Sequence, residues 1–184
     1  VKKLILFAHT LIIMTLTLSP AFAQDAEYLF KHGTRSQKIA SLNLFMREHS
    51  NISLMVGSLK NESEDIYIRK YILHALTVFK DSRSAKNAVI WALEGENEAL
   101  KQSAAIVASN YKLRDFLYPL LSALANSKNK TKVNALFSLS RIGNLEVLPY
   151  LKKYLRSRNP LIRYHARKAC NAITNRFRST PSRG

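Results

Sequence analysis

The chain has one cysteine in 184 residues, Cys170, and so holds no internal disulfide. That is compatible with an oxidising compartment without requiring one. Five glycines and five prolines are too few for a collagen-like or low-complexity chain. Nothing reads as a strand: residues 133–139 alternate poorly, and their flanks are helical. Catalytic and metal-ligand patterns are missing as well. His32, His49 and His74 fall in different segments without ligand spacing. Glu94, Glu96 and Glu98 straddle a turn, where alternate side chains rarely converge on an ion. No cofactor and no enzymatic activity are expected. Acid is the residue class most unevenly missing. Residues 116–184 hold fourteen Lys and Arg but a single acid, Glu146, for a net charge of +13, whereas residues 24–115 hold thirteen and eleven, for a net of +2. Such asymmetry points to an anionic partner for the C-terminal half.

What is present begins with a leader. Lys2 and Lys3 precede an apolar stretch, residues 4–18, followed by Pro20 and the small-x-small site Ala21-Phe22-Ala23. This pattern predicts a secretory signal peptide over residues 1–23, cleaved after Ala23, with retention as a membrane anchor as the alternative. The mature protein is then expected to be exported, periplasmic or secreted, with no transmembrane segment. Its 47% hydrophobic content supports one folded domain, residues 24–178, before a short disordered basic tail, residues 179–184.

Within that domain a template recurs. Its first position falls at Ser36, Ile68, Leu100, Thr131 and Ile162, at spacings of 31 or 32 residues. The fifth position holds Ala40, Ile72, Ala104, Ala135 and Ala166; the ninth Leu44, Leu76, Ala108, Leu139 and Cys170; the twelfth Arg47, Phe79, Tyr111, Ile142 and Ile173. Offsets of four, eight and eleven share one face of a 3.6-residue helix. Small residues at the fifth position let a neighbouring helix approach closely. Three residues before each first position stand Gly33, Asp65, Asn97, Lys128 and Asn159, four of which suit a helix N-cap. Thr34-Arg35-Ser36-Gln37 offers a competing capping box, and Pro160 suits a first helical turn. Shorter apolar segments, residues 51–60, 83–94, 114–126 and 145–157, lie between. Pro119 and Pro149 are expected near the starts of two of them, where a missing N–H costs little. A short helix over residues 25–31, closed by Gly33, precedes the series. A period near 31 with two helices per period means stacked helical hairpins.

Ile142-Gly143, the run from Asn144 to Leu151, and Ile162-Arg163 with Ala166 and Ala169 resemble the HEAT-like repeats of phycobilisome-lyase-type proteins, the short bacterial kind. The resemblance covers residues 66–173 and extends to about residue 34, where Ser36, Gln37 and Arg47 depart from the pattern. It implies an all-α, right-handed solenoid of four to five hairpins serving as a non-enzymatic scaffold for another protein. Function varies widely on such a fold.

Two surfaces are candidates for binding. Arg69, Lys101, Lys132 and Arg163 occupy the template's second position, either as a basic ladder or as braces to Asp81, Asn110 and Asn144. A basic-aromatic cluster comprises Tyr150, Lys152, Lys153, Tyr154, Arg156 and Arg158 from the last outer segment, with Arg163, Tyr164, Arg167 and Lys168 from the last inner helix. Cations with interleaved rings bind phosphates and stack on sugars or bases, while a solvated terminal cap is the plainer account. Export counts against nucleic acid, leaving another protein first and an anionic lipid, glycan or other envelope polymer second. Trp91 is expected to pack between hairpins. His165 and Cys170, five residues apart, align poorly on one helix, and Cys170 is expected to be a buried structural cysteine.

Overall fold

The computed structural model describes residues 20–178, and every regular element among them is helical. The expected leader up to residue 19 and the expected tail, residues 179–184, lie outside the described residues. The described α-helices are α1 (Pro20–His32), α2 (Arg35–Glu48), α3 (Ile52–Lys60), α4 (Ile66–Ala75), α5 (Arg83–Glu94), α6 (Glu98–Val107), α7 (Leu113–Asn126), α8 (Asn129–Ile142), α9 (Leu148–Lys152) and α10 (Pro160–Arg178). They fall into two compact units, one ending at Glu48 and one beginning at His49. At this junction His49 and Asn51 adopt φ of 51° and 60°, a left-handed conformation that His and Asn tolerate better than most residues.

In the first unit α1 packs on α2, with Phe30 and Phe45 edge to face at 5.5 Å between ring centroids. α1 is longer than expected and runs through the bond between Ala23 and Gln24. The competing capping box is the one used: Thr34 N–H donates to Gln37 Oε1 at 2.8 Å, and Gln37 N–H to Thr34 Oγ1 at 3.4 Å. The template fails here. Ser36, Ala40 and Arg47 are exposed, and α2 instead buries Ser41, Leu42 and Phe45. Leu42 and Phe45, three residues apart and off the template's rows, are the large apolar side chains that turn inward.

In the second unit the template describes the packing. α4 packs on α6, α6 on α8 and α8 on α10, while α3 packs on α5 and α5 on α7. The first and fifth positions are buried in all four inner helices, Ile68, Leu100, Thr131 and Ile162, then Ile72, Ala104, Ala135 and Ala166. Asp65 caps α4 through Tyr67 N–H at 2.8 Å. Asn97 and Asn159 each accept two backbone N–H groups of α6 and α10.

Three local departures have physical causes. α4 and α6 tighten at their C-terminal ends into 3₁₀ turns, Leu76–Phe79 and Ala108–Asn110, a common way for a helix to end. The last outer segment is a 3₁₀ turn, the five residues of α9 and a second 3₁₀ turn, Lys153–Arg156, with Pro149 near the start as expected. Pro119, by contrast, lies inside α7 and is buried, a full turn beyond the first. Its ring occupies the place of an N–H that would have bonded Asp115 C=O.

Candidate functional site

The basic residues of the second unit divide into those tied to backbone and those left to solvent. Arg69 is buried and donates from Nε to Leu59 C=O at 2.8 Å, at the end of α3. Arg163 donates from Nη1 to Ser157 C=O at 2.6 Å. The arginines of the second position are therefore braces, but to the terminal carbonyls of the preceding outer segment, not to Asp81, Asn110 or Asn144. Lys101 and Lys132 are half-buried. Arg176 reaches back from α10 to Gly143 C=O at 2.6 Å and to Ser140 C=O.

Of the ten clustered candidates, two have structural tasks. Besides Arg163, Tyr154 donates its hydroxyl to Leu124 C=O at 3.0 Å, with Lys153 Nζ 5.2 Å from its ring centroid. The remaining eight are exposed and sort onto different surfaces. Tyr150, Lys152, Lys153, Arg156 and Arg158 belong to the outer segment. Arg167 stands at the sixth template position, where Leu73, Ala105 and Leu136 are buried. No helix follows α10 among the described residues to cover it, so Arg167 replaces an apolar contact with a charge at an open end. The same explains Cys170, which is half-buried instead of buried, unlike Leu76, Ala108 and Leu139 at its position. Burial still pushes its thiol above the ordinary value, against a smaller opposing pull from Lys152. His165 is held below its ordinary value first by burial and then by Lys168.

Tyr164 and Lys168 lie elsewhere again. They occupy the third and seventh positions, on the side of α10 away from Ile162 and Ala166. The seventh position is exposed in every inner helix: His74, Ile106, Phe137 and Lys168. One residue before the first position stand Tyr67 and Leu161, and at the eleventh stands Val78, also exposed. Offsets of seven and eleven return to nearly the same side of a helix, so these residues form rows on one face. Arg141 Cζ lies 5.8 Å from the Phe137 ring centroid, and Lys70 Nζ 5.9 Å from that of Tyr67. Sequence reasoning missed this face because it followed the buried rows. The signal was legible at the seventh position, where two of four residues are bulky and apolar opposite the core.

The inner helices are tied to one another by side chains reaching 32–35 residues back. Asn134 Nδ2 donates to Gln102 C=O at 3.0 Å, Ser138 Oγ to Ala105 C=O, and Tyr111 Oη to Leu76 C=O at 2.9 Å. The N-terminus of α8, where Lys128 has no capping side chain, is closed by Glu98. That carboxylate accepts Thr131 Oγ1 at 2.6 Å and Lys128 N–H at 3.3 Å. Trp91 on α5 is partly exposed beneath Lys60, whose Nζ is 5.9 Å from its ring.

Among the described residues no three His, Cys, Asp or Glu side chains converge to hold a metal ion, and no helix is long and apolar enough to cross a membrane. No protein-family model matches the chain, and no curated protein sequence matches it.

Proposed function

We propose that this chain is an exported, non-enzymatic scaffold: a right-handed α-solenoid of HEAT-like repeats that binds another protein. The observation that carries the reading is the set of side-chain bonds spaced by one repeat. Thr131 to Glu98, Asn134 to Gln102 and Ser138 to Ala105 tie successive inner helices together in register. A stack fixed in this way presents an extended, pre-organised row of side chains, and pre-organisation is what a binding surface needs most. A second reading is binding to an anionic envelope polymer or lipid surface. It is favoured by the excess of Lys and Arg over the lone Glu146 in residues 116–184.

A photo-crosslinking residue placed at Lys153, and separately at Tyr118, an exposed residue of α7, tests the proposal in intact cells. A protein adduct that survives a high-salt wash is expected. Recovery of lipid or glycan alone, lost as salt rises, would replace the first reading with the second.

A further inference from the structure

We propose that the exposed rows on α4, α6, α8 and α10 form a docking surface for an acidic polypeptide segment carrying bulky apolar side chains. The proposal deepens the scaffold reading and rests on it. Two independent features of the same face motivate it.

The first is apolar. Tyr67 is 61% exposed, Leu161 53%, Phe137 40% and Ile106 38%. Each stands on a helix that already buries the first and fifth template positions, so none is surplus from an overfilled core. Scattered single exposures need no explanation, but these recur at two template rows on helices that pack side by side.

The second is charge. The four inner helices contain one acid among them, Glu98, and it is occupied by Thr131 and the Lys128 N–H. Their cations number two in α4, one in α6, three in α8 and five in α10. Arg69, Arg163 and Arg176 are spent on backbone carbonyls. Lys130, Arg141 and Lys168 are exposed on the apolar rows or beside them. The acids of this unit stand instead on loops and outer helices, such as Glu62, Asp81, Glu94 and Glu146.

A face that alternates cations with aliphatic and aromatic side chains is complementary to a chain that alternates carboxylates with apolar side chains. A phosphate polymer would satisfy the cations and leave Ile106 and Leu161 without use. A lipid surface would favour apolar side chains gathered at one edge, whereas these are spread over four successive helices. Neighbouring helix axes lie roughly 8–10 Å apart. Matching anchors on an extended segment therefore recur at about every third residue, ~10 Å.

The test uses the full chain and labelled synthetic peptides, read by fluorescence anisotropy. The first peptide is Glu-rich with leucine at every third position. The second has serine for leucine, and the third lysine for glutamate. We expect the first to bind at least about tenfold more tightly than either control. Ile106→Ser with Phe137→Ser should reduce that binding about tenfold or more. Because those two side chains are partly packed, a charge-reversal variant, Lys130→Glu with Arg141→Glu and Lys168→Glu, provides a second route to the same loss. Lys152→Gln with Lys153→Gln and Arg156→Gln, on the outer segment, should change it little. Equal binding of the serine peptide would reduce the face to net charge and overturn the proposal. So would equal loss in the outer-segment variant, or displacement of the peptide by phosphatidylglycerol vesicles or an oligonucleotide at matched charge. A salt-resistant protein adduct at Lys153 or Tyr118 with no peptide binding at this face would keep the scaffold and remove this docking surface. Lipid or glycan adducts alone would remove both.

Discussion

Tyr111 shows how one side chain can join two segments distant in sequence. It closes the 3₁₀ turn after α6, is buried, lies tilted against Phe116 with ring centroids 4.9 Å apart, and donates to Leu76 C=O. Burial raises its phenol well above the ordinary value of 10.0. The sign of the pH effect follows. The unfolded chain loses this proton near pH 10 while the folded chain keeps it, so the contribution to stability is complete below that pH and falls as pH rises above it. Tyr111→Phe should cost on the order of 1–3 kcal/mol, because Leu76 C=O loses its partner. It should also remove part of the alkaline loss of stability, as followed by denaturant titrations between about pH 8 and pH 11. Gly143 is constrained differently. Its φ of −68° is open to any residue, but an added Cβ would meet Leu139 C=O and come within 2.9 Å of Ile173 Cδ1. Gly143→Ala should therefore destabilise by about 1–3 kcal/mol through overpacking. A change near zero in a thermal melt would show that α8 and α10 can move apart at that point.

The inner helices were legible in the sequence because each carries a buried stripe and three of the four carry their own cap. Asp65, Asn97 and Asn159 could be read as caps since the groups they satisfy lie two or three residues away. The start of α8 could not be read that way, because its cap is Glu98, thirty residues earlier, and only helix packing brings them together. The same limit hid the true partners of Arg69 and Arg163, which are carbonyls with no side-chain signature. In α2 the template gave the wrong face, since nothing in a period of 31 distinguishes a degenerate unit from a separate one. Glu98→Ala should destabilise by roughly 1–2 kcal/mol, the scale of a lost cap. Hydrogen exchange should rise in the first turn of α8 before it rises elsewhere; uniform acceleration over α6 and α8 would instead mean that Glu98 holds the two helices together. Leu139→Ala, fully buried on α8, should cost about 2–5 kcal/mol.

Across the molecule the unresolved balance is one of charge. Fourteen Lys and Arg in residues 116–184 have Glu146 as the only acid in that stretch; its carboxylate accepts from Asn144 Nδ2, and its backbone N–H donates to Asn144 Oδ1. The ion pairs formed by Asp115 are with Lys86 at 3.4 Å and Arg114 at 3.7 Å, outside this stretch. Self-repulsion among exposed cations weakens as salt shortens the screening length. Raising ionic strength from about 0.01 M to about 0.15 M should therefore raise Tm. Lys153→Gln with Arg156→Gln and Arg167→Gln should raise Tm at low salt and flatten that dependence. A salt response unchanged by the triple substitution would place the repulsion elsewhere. Composition supports one domain over residues 24–178, and within it the described residues form two compact units. The leftover cue was the mismatch of Ser36, Gln37 and Arg47 with the template.

Six long-range side-chain bonds share a direction, opposite to that of Lys86 to Asp115. Tyr111, Thr131, Asn134, Ser138, Tyr154 and Arg176 each donate to a group that precedes them by 30–36 residues. As the chain leaves the ribosome N-terminus first, every such acceptor is made before its donor. Each later helix thus emerges onto a neighbour already able to receive it, and assembly can keep pace with synthesis.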